Sequence, residues 1–354
     1  MKVAEECLKR AYRVRVYALS WQGPVPEGLD VVIVPVRELT NHRTYQSFAR
    51  WVQNDLSTRR VAAVVGFNKM PGLDVYYAAD SCYEEKAQTL RASLYRRTSR
   101  YRLFSAFERA VFDCAADTTV LLITEQQKQQ FQRHYQTPNA RFRRLPPGLG
   151  ADRRRPPDAA ALRASLRNDF ELQDDQYLLL LIGSGFITKG LDRALLALAA
   201  LPSTMGERTR LCVIGQDNPK QFLRLAKELG VADRLTWFAG RDDVPRFLQG
   251  ADLLIHPAYM ESGGIVLLEA VIAGLPVVAT DVCGFAPYIL DAGAGVVIES
   301  PFCQDALNAA VRTGLQDRDL RARWAANGIA YGEREALFEM PARAVDFIEE
   351  RLSA

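Results

Sequence analysis

Apolar runs of four to six residues alternate with longer amphipathic stretches along almost the whole chain. In the first half, Val14–Leu19, Val31–Val36, Val61–Gly66 and Thr118–Ile123 predict strands. In the second half, Leu178–Ile182, Leu211–Gly215, Leu235–Phe238, Leu253–His256, Pro276–Ala279 and Gly295–Ile298 do the same. Many are Val, Ile and Leu runs without polar alternation, the mark of strands covered on both faces. Helix-length segments between them predict βαβ units and parallel sheets. The alternation breaks once, from Pro146-Pro147-Gly148 to Pro156-Pro157, where neither a helix nor a central strand can run. It then restarts. The pattern predicts an α/β fold of two doubly wound domains facing a cleft, over residues 1–152 and 153–335. A last helix in 336–354 is expected to pack back toward the first domain. Ligands of such sheets bind beyond the carboxyl ends of the strands.

Composition supports two globular cores. Hydrophobic residues make up 48% of 354, and charged residues an ordinary 25%, which argues against wholesale disorder. No apolar run approaches the ~18 residues of a membrane span, and no signal-peptide pattern opens the sequence. Six cysteines stand at 7, 82, 114, 212, 283 and 303, without a CxxC pair or metal-ligand spacing. With only three histidines, they predict reduced, mostly buried thiols in a cytoplasmic protein and no metal site.

Charge adds an asymmetry that the net value of +3 conceals. Residues 1–155 hold 26 Lys and Arg against 15 Asp and Glu, and the remainder holds 19 against 27. A basic front half suits an anionic partner: a membrane surface, a phosphorylated substrate or nucleic acid. A solvated basic face is the plain alternative. Its densest part, residues 84–112, is predicted as one long helix. There Arg91, Arg96, Arg97, Arg100, Arg102 and Arg109 are interleaved with Tyr95, Tyr101, Phe104 and Phe107. Such a stretch fits an anionic membrane interface, or a helix packed on its own sheet by the aromatics. No nucleic-acid motif accompanies it.

The candidate chemistry lies in the second half. Between His256 and Ala270 a buried strand gives way to a loop and then to a helix starting near Gly264. Gly263 and Gly264 allow close backbone approach to a ligand. The helix start, at Gly264 and Ile265, offers free N–H groups to phosphate. Glu261 precedes the helix and Glu269 lies one to two turns inside it. Helical side chains lean back toward the N-terminus, so both carboxylates are expected to face one cleft and accept from sugar hydroxyls. An isolated E-x7-E spacing also arises from two solvated glutamates. A second segment, Gly183-Ser184-Gly185-Phe186-Ile187-Thr188-Lys189-Gly190, leaves a strand and opens a helix. Lys189 is placed to neutralise a diphosphate leaving group. The segment lacks the full G-x-G-x-x-G fingerprint, so hydride chemistry has little support.

With these residues in view, the chain resembles retaining GT-B glycosyltransferases of family four. Their E-x7-E and Lys-Gly motifs match Glu261, Glu269 and Lys189-Gly190. Within that family it is similar to the lipopolysaccharide core glucosyltransferases of Gram-negative bacteria. The most specific stretches are Val65–Tyr76, Thr98–Arg102, His134–Thr137 and residues 253–269. The resemblance implies two Rossmann-like domains and transfer of glucose from UDP-glucose to an inner-core heptose of lipopolysaccharide, with retention and without a metal or other cofactor. Glu261 would hold glucose hydroxyls, Gly263, Gly264 and Ile265 the sugar and phosphate, and Glu269 the ribose. Lys189, with Gly185 in its loop, would meet the diphosphate. Arg241 would lie near the uracil, and Asp80 would face the sugars from the first domain. The implied partners are the UDP-sugar, the lipopolysaccharide acceptor and, through residues 84–112, the anionic cytoplasmic face of the inner membrane, but no nucleic acid.

Two departures qualify this. Relatives open with a strand and a Gly-Gly loop, whereas Met1–Arg10 reads as the middle of the first helix. Roughly twenty residues are thus expected to be missing, either because the start lies further upstream or because the chain is shortened. Thr188 stands where relatives often carry Arg. The alternatives are an impaired homologue acting as a membrane-associated scaffold, or another UDP-sugar enzyme of the same fold.

Overall fold

The computed structural model describes residues 1–353 and, apart from positions 90 and 335, their side chains. It divides into two compact units, Met1–Pro147 with the segment from Glu339 onward, and Gly148–Phe338.

The first unit runs α1 (Lys2–Lys9), β1 (Val14–Ala18), β2 (Leu29–Ile33), α2 (Asn41–Thr58), β3 (Val65–Gly66), β4 (Val75–Ala78), α3 (Tyr83–Leu90), α4 (Ser99–Phe112), β5 (Thr119–Leu122), α5 (Glu125–Tyr135) and β6 (Phe142–Arg144). The C-terminal helix Met340–Ser353 completes it. All strand pairs are parallel, but the strands form two sheets, β1-β2 and β3-β4-β5-β6. A cavity of about 320 Å³ is lined by β1, β3, α1, α2 and the C-terminal helix, through residues such as Val3, Cys7, Val16, Val52, Val65 and Ile348. This explains why every residue of β1 stays partly exposed while most of β4 and β5 is buried. The first apolar run is therefore a strand, as predicted, but it is not enclosed.

Three expectations need correction, two in this unit and one along the whole chain. The run Val61–Gly66 contributes only Val65 and Gly66 to a strand. Residues 84–112 do not form one helix: the chain is extended at Arg91, makes a 3-10 turn over Ser93–Arg97 and turns again at Thr98. Thr98 Oγ1 then accepts from the Tyr101 amide and starts α4. A capping Thr-Ser pair inside the basic stretch is the physical reason, because short hydroxyl side chains favour helix starts over helix interiors. The thiols are also less buried than expected. All six are free, but only Cys82, Cys212 and Cys283 are buried, while Cys114 and Cys303 are exposed.

The second unit contains β7 (Tyr177–Ile182), α6 (Leu191–Ala199), β8 (Thr209–Ile214), β9 (Leu235–Phe238), β10 (Leu253–His256), α7 (Ile265–Ala273), β11 (Val277–Thr280) and β12 (Gly295–Ile298). Its single parallel sheet has the order β12-β11-β10-β7-β8-β9. Strand order reverses between β7 and β10, and the crevice beyond that point is where open sheets bind ligands. Helix α7 is almost wholly apolar, and seven of its nine residues are buried. At ~1.5–3 kcal/mol for each fully buried Val, Leu or Ile, this burial fixes the helix firmly. Helix Arg318–Gly332 approaches so closely that a Cβ at Gly328 would lie 2.3 Å from the Val271 carbonyl oxygen.

Candidate active site

The loop after β7 folds as a tight turn. The Lys189 amide and Thr188 Oγ1 both donate to the Gly185 carbonyl, at 3.0 and 2.8 Å. The Phe186 amide donates to Asp217 Oδ2 at 2.9 Å. This turn lies directly on the loop that follows β10, and the Tyr259 amide donates to the Thr188 carbonyl at 2.8 Å. Gly190 makes the approach possible. Its φ is +71°, and a Cβ there would sit 2.0 Å from the Pro257 carbonyl oxygen.

The loop after β10 is anchored from three directions. Arg193 donates to the Pro257 and Ala258 carbonyls, both at 3.1 Å. Its guanidinium lies between the rings of Tyr259 and Phe302, 3.5 and 3.6 Å from their centroids. Thr280 Oγ1 donates to the Ala258 carbonyl at 2.8 Å. On the far side, the Gly284 amide donates to the Glu261 carbonyl at 3.1 Å and the Phe285 amide to the Gly263 carbonyl at 2.8 Å. Gly264, at φ +88°, turns the chain into α7, whose first residue Ile265 is exposed. The first amides of such a helix have no partner within it.

These loops bring Lys189 and Glu261 together. Lys189 Nζ donates to Glu261 Oε2, and both side chains are largely buried. Burial holds the Lys189 ammonium below its usual pKa. His256, the last residue of β10, is fully buried, with Nε2 3.4 Å from the same Glu261 oxygen. Burial and then the nearby Lys189 charge push its pKa down to about 3, so the ring is neutral at physiological pH.

The other expected residues lie around this pair or apart from it. Glu269, on α7, lies 3.4 Å from Arg153 Nε. The two carboxylates of the E-x7-E spacing therefore meet different cations. Arg241 follows β9 and donates through Nε and Nη2 to Asp243, at 2.6 and 2.8 Å. Its guanidinium also lies 4.8 and 5.1 Å from the Phe238 and Phe247 ring centroids. Asp80 belongs to the first unit, exposed just beyond β4, with its carbonyl accepting from Gln127 Nε2 at 3.2 Å.

Sequence reasoning missed Arg153, Arg193 and His256. Arg153 was legible only as part of a basic linker. Arg193 sits at an ordinary helical position and acts through carbonyls 64 and 65 residues away. His256 carried one usable signal, a polar residue ending an otherwise apolar strand.

Comparison with known proteins identifies the family. Residues 163–331 match the family of glycosyl transferases group 1. The chain is 46% identical over 348 residues to the lipopolysaccharide glucosyltransferase WaaG of Escherichia coli strain K12, covering 98% of this chain and 93% of that protein. The crystal structure of WaaG, a glycosyltransferase involved in lipopolysaccharide biosynthesis, matches with a TM-score of 0.91 at 46% identity, covering 98% of this chain and 94% of that one. Sucrose-phosphate synthase of Thermosynechococcus elongatus shares the fold at 17% identity, with a TM-score of 0.77 and coverage of 99% and 92%. Identity of this extent along nearly the whole of both sequences places the protein: it is a GT-B glycosyltransferase of group 1 and belongs to the family of the lipopolysaccharide glucosyltransferase WaaG.

Proposed function

We propose that this chain is a retaining, metal-independent hexosyltransferase that moves glucose from UDP-glucose to an inner-core heptose of lipopolysaccharide. The observation that carries the reading is the Lys189–Glu261 pair beyond the ends of β7 and β10, beside the first turn of α7. A cation, a carboxylate and outward N–H groups at one point suit the diphosphate and the hydroxyls of a sugar nucleotide.

Each group has a task. Lys189 leaves Glu261 for the diphosphate and, with the α7 N-terminus, takes the part a metal cation would play. Glu261 accepts from glucose hydroxyls, with the backbone at Gly263, Gly264 and Ile265 closing on the sugar and phosphate. Glu269, oriented by Arg153, holds the ribose, and Gly185 shapes the Lys189 turn. Arg241 flanks the uracil. In the transfer, the bond from glucose C1 to the phosphate oxygen breaks. The bond to the acceptor oxygen forms on the same face, and the acceptor proton passes to the departing phosphate. The chain thus supplies orientation and charge stabilisation, not a covalent intermediate.

The setting we propose is the cytoplasmic face of the inner membrane. Arg91, Arg96, Arg97, Arg100, Arg102 and Arg109 are all exposed. The aromatics between them are buried or half-buried instead, with Tyr101 and Phe104 packing on Tyr83 and Phe104 also on Tyr45. Attraction to anionic headgroups is therefore electrostatic here, not aromatic insertion. Among the described residues, no helix is long and apolar enough to cross a membrane.

The deciding assay is glucose transfer from UDP-glucose to heptose-terminated lipopolysaccharide. Wild type should transfer and Glu261→Ala should not; full activity of the variant would sink the assignment.

A further inference from the structure

We propose that His256 is a positioning residue for Glu261: its neutral imidazole donates from Nε2 to Glu261 Oε2 and keeps that carboxylate aimed when Lys189 turns to the donor diphosphate. The inference rests on the donor-site reading above.

His256 ends a strand whose other members, Leu253, Leu254 and Ile255, are fully buried and apolar. Packing alone would be served there by leucine. Instead the strand carries an imidazole with no exposed surface, and neither Nδ1 nor Nε2 has a hydrogen-bond partner among the described residues. Leaving a buried donor unpaired is costly, so a retained imidazole calls for a partner in the working state. One acceptor is at hand: Glu261 Oε2, 3.4 Å from Nε2 and already occupied by Lys189. When Lys189 leaves, that oxygen loses its donor, and a slight side-chain rotation brings it onto Nε2–H. The backbone between the two residues need not move. The Ala258 amide donates to the His256 carbonyl at 2.9 Å, and Arg193 and Thr280 hold the next two carbonyls.

Charge explains why the donor is histidine. A second cation would repel Lys189 and compete for the phosphate. A neutral N–H does neither, and burial beside Lys189 keeps the ring neutral. Among the described residues, the charged and titratable groups near this point are Lys189, Glu261, Cys283 and Arg193, the last held on the Pro257 and Ala258 carbonyls. Burial pushes the Cys283 thiol up to about 11, so it adds no charge at neutral pH.

The test compares His256→Gln, whose amide N–H replaces Nε2–H, with His256→Leu, which packs but cannot donate. Transfer from UDP-glucose, UDP binding by calorimetry and thermal unfolding are measured for each. A hydrogen bond to a charged group predicts that His256→Leu lowers kcat by about 10- to 100-fold. UDP affinity should stay within about twofold of wild type, and His256→Gln should recover most of the lost rate. Wild type and His256→Gln should share one pH profile between about pH 5.5 and 8, because no proton is lost from the ring there. Equal rates for the two variants, or loss of UDP binding together with turnover, would overturn the assignment. Imidazole ¹⁵N spectra give a readout independent of turnover. At neutral pH the proton should sit on Nε2, and UDP-glucose should shift that signal in wild type but not in Glu261→Ala. If wild type transfers no glucose yet shows this shift, the transferase function fails while donor binding and the positioning role stand. A proton on Nδ1 contradicts the positioning role itself.

Discussion

Lys189 and Glu261, 72 residues apart in sequence, are joined by an ion pair between the loops that leave β7 and β10. The pair places a cation and a carboxylate at the point where strand order reverses, and under the proposed function each becomes available when a donor arrives. Lys189→Met removes the proposed phosphate partner and leaves Glu261 without its cation. With a charge-assisted contact worth ~1.5–3 kcal/mol, kcat/KM for UDP-glucose should fall about 10- to 100-fold. Steady-state kinetics over a range of UDP-glucose concentrations reads this directly. An unchanged kcat/KM contradicts the role.

The contact between the two loops depends on Gly190. A methyl group there collides with the Pro257 carbonyl oxygen and meets a left-handed backbone conformation. Gly190→Ala should therefore cost ~1–3 kcal/mol of stability, the usual range for strain of this kind. It should also weaken donor binding, because the loops must part. Thermal unfolding and calorimetric titration with UDP-glucose report the two effects separately.

Glu269 predicts a different kinetic signature from Glu261. It lies beside Arg153, not at the Lys189–Glu261 contact, and the proposed function assigns it to the ribose instead of the reacting centre. Glu269→Gln should raise KM for UDP-glucose several-fold and leave kcat near wild type, the pattern of lost uniform binding. A kcat loss equal to that of Glu261→Ala would place Glu269 at the reacting sugar.

The first unit has its own test. Glu108 is fully buried on α4. It accepts from Lys69 Nζ at 2.5 Å, Tyr135 Oη and the Tyr83 amide at 2.7 Å, and the Glu84 amide at 2.9 Å. Burial opposes its charge, but Lys69 and these hydrogen bonds outweigh that and hold its pKa below the ordinary 4.5. The stability it adds is present above that ordinary value and is lost as pH falls through the lower folded value. Glu108→Ala strands Lys69 and should cost ~3–5 kcal/mol at neutral pH. The penalty should shrink toward acid, where wild type loses the same contribution. Denaturant unfolding from pH 7 to pH 3 checks both magnitude and sign.

The second unit was the more legible in sequence, for a physical reason. Its central strands β7, β8, β10 and β11 are almost wholly buried, so a run such as Leu253–His256 announces itself with its observed boundaries. In the first unit, β4 was missed because Val75-Tyr76-Tyr77-Ala78 mixes aromatic with aliphatic residues. The strand β6 was missed because Phe142-Arg143-Arg144 reads as polar. The basic stretch looked like one helix because its charge and aromatic pattern hid the break at Thr98. At the candidate site, Lys189 and Glu261 stood out in the sequence because glycines and strand ends mark the loops that carry them. Arg153 and Arg193 were not, since their partners lie far away in sequence and no local spacing encodes such contacts. His256 needed the fold before its burial acquired meaning.

The most direct test of the central claim is transfer of labelled glucose from UDP-glucose to lipopolysaccharide ending in inner-core heptose, followed by NMR of the new linkage, with wild type beside Glu261→Ala. The account predicts an α-linked glucose on heptose with wild type and none with the variant. Transfer that survives in Glu261→Ala, or a β-linked product from wild type, would contradict it.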